Sequence, residues 1–307
     1  MTEPPIDSST EHRIAFQRAL SRASGTRMQR IMRQPVRLIG AELLLRIARH
    51  RPDGIRIKAD LFWGGTMNVV FPELMSNSLF RYGFCEEDMT VMLLTVLKGG
   101  MTFIDIGAHF GYATLLGAAL VGDKGQVHSF EPTPSTFRLL QRNAGQMRNV
   151  TARNMAVHSR SCTIPFNDFG LRFSSHNSFF EARAATARPV ARSVTPVAAV
   201  SLDEYLAETK AAPDLVKIDA ESAEHEILHG MTKTIEQHRP AIVMEVGDLQ
   251  VEGAVQSAQL VQFLADREYD VFSCVDGELR RQPAEPSYAP GNRLFVPRAG
   301  RVRTYLA

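Results

Sequence analysis

The sequence predicts an α/β protein whose core is a doubly wound, mostly parallel sheet. From Gly100 onward, short apolar runs of strand length alternate with helical stretches. Such alternation implies parallel strands covered by helices on both faces. The first run, Phe103-Ile104-Asp105-Ile106, leads through two glycines into a helix, and junctions of this kind sit at the ligand-binding edge of doubly wound sheets. Composition agrees: the 307 residues are 44% apolar and 22% charged, the balance of a globular chain rather than a disordered one or a fibre.

Residues 1–11 are polar, carry Pro4 and Pro5, and read as a loose tail. From Ile14 to about His50 apolar residues recur at helical spacing with a break near Pro35, and Ile39, Leu43, Leu44 and Ile47 form one apolar stripe. Ile55–Phe71 alternates like strands and breaks at Gly64-Gly65, predicting a hairpin. Glu86 to Leu97 reads as a helix with Met92, Leu93 and Val96 inward, stopped by Gly99-Gly100. The predicted division is therefore 1–60 as tail and basic helices, 61–99 as hairpin and helix leading into the core, and 100–307 as the sheet domain.

Within that domain, Gly111–Val121 is an apolar helix and Gln126–Phe130 the second strand. Thr133 with Pro134 opens the next helix, and Val150–Val157 is the third strand. Residues 158–200 are the least regular part. Ser201-Leu202-Asp203-Glu204 fits a capping box. Leu215–Ile218 and Ile242–Val246 are further strands, with a helix over Ala223–His229 between them and Gly230 as its stop.

The net charge of +2 argues against a dedicated nucleic-acid binder. Residues 1–60 nevertheless hold 12 Arg and Lys against 6 Asp and Glu. That front end could meet an acidic surface or RNA; a solvated helix face is the plainer reading. Cys85, Cys162 and Cys274 are odd in number and far apart, fitting neither a disulfide framework nor zinc spacing, so a reducing compartment is expected. There is no signal-peptide pattern, and no apolar run approaches the ~20 residues of a membrane span. A cytoplasmic location is the expectation.

Asp105-Ile106-Gly107-Ala108-His109-Phe110-Gly111-Tyr112 is the most informative segment. A dinucleotide site reads G-x-G-x-x-G and aims a helix N-terminus at a pyrophosphate; here Asp105 replaces the first glycine. A carboxylate repels a diphosphate and favours an ammonium. The implied ligand is a nucleoside with an amino-acid tail, as in S-adenosylmethionine. Gly107 and Gly111 would let backbone approach it closely. Glu131, 24 residues after Gly107 at the end of the second strand, could accept both ribose hydroxyls. Pro132 fixes the chain just after it, and His109 in the turn lines the cofactor's tail or is simply a loop residue.

These segments, with Phe130-Glu131-Pro132-Thr133-Pro134, Ser201-Leu202-Asp203-Glu204-Tyr205 and Val216-Lys217-Ile218-Asp219-Ala220-Glu221-Ser222-Ala223-Glu224, resemble the FkbM family of S-adenosylmethionine-dependent methyltransferases, mainly O-methyltransferases of sugars, polyketides and other natural products. The resemblance runs in order from about residue 65 to 297. It implies a Rossmann-like class I methyltransferase sheet of seven strands, the last at about 269–273 and 292–297, mostly parallel with an antiparallel edge. The N-terminal helical and hairpin extension would pack beside this sheet or mediate dimer contacts. It further implies that Gly107, Ala108, Gly111 and Tyr112 line the cofactor, that Glu131 holds its ribose, and that Asn154 to Ala156 lie near the adenine. The family usually has Asn where this chain has His109 and Gly where it has Ser222. Ser222 could instead cap the following helix.

Methyl transfer from a sulfonium needs an aligned acceptor and a base for its proton. The rim where strands four and five end carries Lys217, Asp219, Glu221 and Glu245. Asp219 is the first candidate for base or acceptor-orienting group and Glu221 the second. Lys217 could pair with either or steady developing charge, and Glu245 faces the acceptor. A structural salt bridge across the strand ends is the alternative. Asp219, Glu221, Glu224 and Glu245 could assemble a divalent-metal site, but their spacing does not demand one, and no metal is expected. His225-Glu226-Ile227-Leu228-His229 matches H-E-x-x-H; without an identifiable third ligand both histidines read as surface groups. Phe166, Phe169, Phe173, Phe179 and Phe180 imply that part of 158–195 folds back as a lid or acceptor wall. His176 and Asn177 are its polar candidates for substrate contact.

The expected activity is methyl transfer from S-adenosylmethionine to a hydroxyl of a sugar or other natural product. The expected partner is a small-molecule acceptor rather than nucleic acid, and a homodimer is left open. A nucleotide-dependent oxidoreductase on a similar sheet and a degenerate cofactor-binding scaffold are the competing readings.

Overall fold

The computed structural model describes residues 8–51, 53–176, 193–220, 222–247, 255–283 and 285–305. They form two compact units, one running to Glu86 and including Gly170–Ser175, the other made of Glu87–Phe169 and the chain from His176 onward.

The first unit begins with helices α1 (Ser8–Ala23), α2 (Arg27–Arg33) and α3 (Pro35–Ala48). Pro35 opens α3, where its missing N–H costs nothing, so the predicted break is a helix start. Strands β1 (Ile55–Asp60) and β2 (Thr66–Phe71) pair as the predicted hairpin, with Gly64 and Gly65 both at positive φ in the turn. Helix α4 (Leu74–Tyr82) follows, its first N–H groups accepted by Glu73. Phe16 packs against Phe62 and Phe84, with centroids 5.0 and 5.2 Å away.

A second cluster joins Ala41, Leu44, Leu45 and Ala48 of α3 to Ile55, Ile57, Phe71 and Phe80. This divides the stripe predicted on α3. Leu44 faces inward, whereas Ile39, Leu43 and Ile47 are exposed. Small Ala41 and Ala48 let that face approach the hairpin closely, so the helix packs on its less bulky side.

In the second unit α5 (Glu87–Val96) is buried along Met89–Leu94 and at Val96, not on one face only. The main sheet takes β3 (Thr102–Ile106), β4 (Gln126–Phe130), β5 (Val150–Arg153), β9 (Leu215–Ile218), β10 (Ala241–Val246), β11 (Tyr269–Val275), β12 (Glu278–Gln282) and β13 (Gly291–Pro297). Their order is β12-β11-β13-β10-β9-β3-β4-β5. β10, β9, β3, β4 and β5 are parallel, and β13 is antiparallel to both β10 and β11. The seven expected strands are present, with an eighth, β12, added antiparallel at the edge. Asp276-Gly277, both at positive φ, make the two-residue turn between Val275 and Glu278, the Asp-Gly hairpin signal.

Helices α6 (Tyr112–Val121), α7 (Pro134–Ala144), α8 (Leu202–Thr209), α9 (Glu224–Gly230), α10 (Thr232–His238) and α11 (Ser257–Ala265) cover this sheet. Ile104, Phe130, Val216, Ile218, Ile242 and Met244 pack on Tyr205, Leu206, Ile227, Leu228, Ile235 and Leu264. Gly117 is required because a Cβ there would enter the Phe103 ring.

The region read as irregular is partly a small sheet, ordered β6 (Ala156–Val157), β8 (Ser193–Val200), β7 (Cys162–Asp168). Its core alternates Ile164 and Phe166 with Val197 and Ala199. Pro165 stands opposite Pro196. Neither proline can donate, so they share a non-hydrogen-bonded position, which masks both strands in sequence. The single strand predicted over Val150–Val157 splits between the two sheets at Asn154. No helix among the described residues is long and apolar enough to cross a membrane.

The predicted capping box at Ser201 is present with both reciprocal bonds, Glu204 N–H to Ser201 Oγ at 3.2 Å and Ser201 N–H to Glu204 Oε2 at 3.4 Å. Ser201→Ala should cost about 1 kcal/mol, read as a lower urea midpoint with unchanged slope.

Candidate active site

Parallel strands β3, β4, β9 and β10 present their carboxyl ends together, so every turn leaving them opens on one edge. The turn after β3 is tied to β4: Gly107 and Ala108 donate N–H bonds to Phe130 O at 3.0 and 2.9 Å. Gly107 sits at φ +76°, and a Cβ there would overlap the Asp219 carbonyl beyond β9. Gly111, at φ +101°, lies 2.7 Å from Leu140 Cδ1 by the same measure. Both glycines thus serve close packing inside the protein, a requirement additional to ligand approach.

Asp105 and Lys217 are register partners on β3 and β9. Their side chains are 0% and 4% exposed, with Lys217 Nζ 3.3 Å from Asp105 Oδ1. The same ammonium lies 3.4 Å from Asp219 Oδ2 and donates to Gly107 O at 3.0 Å. Asp105 Oδ2 accepts from Thr114 Oγ1 at 2.6 Å. The ammonium predicted to face Asp105 is therefore the chain's own Lys217, and Asp105 is corrected from a cofactor ligand to an internal anchor. Of the roles expected for Lys217, the structure shows pairing with Asp219, the ammonium being buried between two carboxylates.

Glu131 is buried at the end of β4. Its Oε2 accepts the His109 N–H at 3.0 Å and its Oε1 the Thr133 N–H at 2.9 Å. Burial pushes its carboxyl up to about 7, against hydrogen bonds from Thr133 and His109 that hold it down. Thr133 is the N-cap of α7, but its hydroxyl turns to Glu131 rather than to the helix. The Asn154 amide donates to Glu131 O and Pro132 O at 2.8 and 2.9 Å, fastening the β5 end to the same turn. Gly107, Ala108, His109, Gly111, Glu131, Pro132 and Asn154 are thus brought together.

Beyond β9, Asp219 donates its N–H to Ile106 O at 3.2 Å and keeps 28% of its side chain exposed. Glu224, buried in the first turn of α9, accepts the N–H groups of Ala220 and Ser222 at 3.3 Å. Burial pushes its carboxyl up to about 7. Sequence reading weighed Glu224 only as a metal ligand; its position just after a strand-end turn is the signal for the role it has. His109 and Ser222 lie at φ +51° and +84°, the left-handed region that favours Asn and Gly. They are the positions at which the resemblance leads one to expect Asn and Gly. Ser222 does not cap α9: the N-cap is Ala223, and the buried Ser222 hydroxyl has no hydrogen-bond partner.

Other expectations are placed differently. Tyr112 is buried with its hydroxyl 2.9 Å from Thr90 Oγ1, so its side chain packs on α5. Ala156 is buried in the small-sheet cluster. Glu245 is half-buried on β10, one residue past the Met244–Ile218 pair. Phe166 and Phe169 are buried in the second unit, and Phe173 lies in the Leu171–His176 turn. Asn177, Phe179, Phe180 and Glu221 lie outside the described residues, as does the side chain of His176. His225 and His229 meet through their Nε2 atoms at 3.1 Å, and among the described residues no three His, Cys, Asp or Glu side chains converge on a metal position.

A sheet in this order, with its site turns at the carboxyl ends, defines the Rossmann-like class I methyltransferase fold. The methyltransferase FkbM domain matches residues 105–271, more than half of the chain, and the chain belongs to this family. The hexuronic acid methyltransferase AglP of Haloferax volcanii is 27% identical over 163 residues, covering 52% of this chain and 61% of that protein, less than two thirds of its length. Among solved structures, the FkbM methyltransferase of Methylobacillus flagellatus KT has TM-score 0.41 and 14% identity over 73% of this chain and 55% of that one. A SAM-dependent O-methyltransferase of Thermotoga maritima has TM-score 0.35 and 12% identity over 83% and 97%.

Two measurements test this construction. Lys217→Met leaves Asp105 unpaired in the interior and should cost about 3–5 kcal/mol in urea unfolding. Ser222→Gly relieves a left-handed backbone and removes a stranded hydroxyl, and should gain about 1 kcal/mol, a rise of roughly 2–4 °C in Tm.

Proposed function

We propose that this chain is an S-adenosylmethionine-dependent O-methyltransferase whose acceptor is a hydroxyl of a sugar or related natural product. Family membership supports methyl transfer and counts against the oxidoreductase reading. The relative that acts on a hexuronic acid supports a sugar acceptor. The observation that carries the reading is that Glu131 and Asp219 both anchor at the carboxyl end of β3, Glu131 accepting the His109 N–H of the turn and Asp219 donating its N–H to Ile106 O.

The donor set fits the cofactor. Glu131 accepts the N–H groups of His109 and Thr133 and the Thr133 hydroxyl, which leaves lone-pair capacity on its carboxylate for a ribose hydroxyl. When bound, the cofactor supplies a methyl group on a sulfonium. His109, Pro132 and the Gly107–Gly111 backbone would border it.

Asp219 takes the proton of the acceptor hydroxyl, its carboxylate aimed by the Lys217 ammonium behind it. Such a base contributes roughly 10²–10⁴-fold. Glu221 and Glu245, on the same rim in sequence, are the candidates to orient the acceptor.

Calorimetry with S-adenosylmethionine, followed by release of S-adenosylhomocysteine over a panel of hydroxylated acceptors including hexuronic acids, tests this. Glu131→Ala should weaken cofactor binding by about tenfold or more. Asp219→Asn should lower kcat by about 10²-fold or more with little change in binding. Equal loss of binding in both variants would overturn the roles, and tight binding without turnover on any acceptor would favour a degenerate scaffold.

The pH dependence has a definite sign. Free Glu131 holds its proton up to about 7, and hydroxyl donors stabilise only the carboxylate. Cofactor affinity should therefore rise between about pH 6 and 8, and titration calorimetry on Glu131→Gln should show that rise flattened.

A further inference from the structure

Helix α3 is apolar on two sides. Ala41, Leu44, Leu45 and Ala48 pack against the hairpin. On the other side Val36, Ile39, Leu43 and Ile47 are between 44% and 83% exposed, and Met28 and Met32 of the preceding α2 are 67% and 76% exposed. At 100° per residue the four α3 side chains fall within about 80° of arc, so they form a stripe rather than a scatter. A contiguous apolar surface of this kind marks an interaction face.

The surroundings of the stripe are basic. Residues 27–51 contain seven arginines and a single carboxylate, Glu42. Beside Ile39 and Leu43 is a hollow of about 660 Å³ bordered by Arg27, Arg30, Arg46 and Arg81. Glu42 pairs with Arg81 at 3.6 Å, and Arg30 donates to the Tyr82 hydroxyl at 3.2 Å. Arg27 and Arg46 meet no carboxylate among the described residues.

We propose that this face docks the protein reversibly on a membrane surface rich in acidic phospholipid. The apolar stripe enters the boundary between headgroups and acyl chains, and Arg27 and Arg46 receive lipid phosphates. Interfacial helices combine an apolar stripe with flanking Lys or Arg in this way, and each basic residue near an acidic leaflet adds to binding. A second copy fits poorly, because a two-fold contact would set each arginine cluster against its own image. A nucleic acid would engage the arginines and leave the stripe in water. The inference is independent of the methyl-transfer reading.

The test is co-sedimentation of the full chain with vesicles of phosphatidylcholine alone or with about one third phosphatidylglycerol. Binding to the acidic vesicles should be about tenfold tighter or more and should weaken with added salt. Met32→Glu/Ile39→Glu/Leu43→Glu alters only side chains that are more than half exposed and should lose about tenfold or more. Arg27→Ala/Arg46→Ala should lose a similar amount, which keeps the test valid if circular dichroism shows the triple variant unfolded. Equal binding to both vesicle types, or full binding by the folded triple variant, would overturn the proposal. So would a wild-type chain that ignores vesicles and instead forms a dimer split by the triple variant, or one that ignores vesicles and binds RNA.

Discussion

The ammonium of Lys217 lies where β9 runs beside β3, between the carboxylates of Asp105 and Asp219 and against the carbonyl of Gly107. A buried cation is tolerated only when its partners compensate the lost hydration, so these groups must be placed together. The turn after β3 and the rim after β9 are consequently one construction. The same closeness excludes a side chain at Gly107, whose Cβ position is filled by the Asp219 carbonyl. Asp219 alone of the ion-paired group reaches outward, and Lys217 holds it from behind.

Acid side chains fasten the strand-end turns on both flanks. Glu131 gathers N–H groups from the turn after β3 and the start of α7, and Glu224 does the same for the turn after β9. Each loses hydration and gains hydrogen bonds, and in both the loss dominates, pushing the carboxyl up to about 7. Shape at this edge thus depends on carboxylates that bond to backbone as well as on glycine.

The parallel strands, the turn after β3, the place of Glu131 at the end of β4 and the Ser201 cap were legible because each rests on a local pattern of apolar runs, glycines or capping residues. The partner of Asp105 was not. The preference of a carboxylate for an ammonium was a sound inference, but the ammonium is Lys217, brought beside it only by the β3–β9 register. The inward side of α3 was hidden because small alanines, not the largest side chains, set the packing distance. Facing prolines concealed β7 and β8, and charged residues concealed β12 although its Asp-Gly turn was plain. Positive φ at His109 and Ser222 leaves no mark in their own chemistry and is suggested only by the Asn and Gly that the family prefers there.

Strand β12 also closes the open side of the main sheet. On one of its faces Glu278 and Arg280 are exposed and lie 4.0 Å apart. An unpaired strand edge is a template for any extended chain that meets it, and a row of ions in opposite signs resists that use. The hairpin therefore acts as a terminator, stopping the sheet at eight strands and discouraging edge-to-edge polymerisation at high concentration.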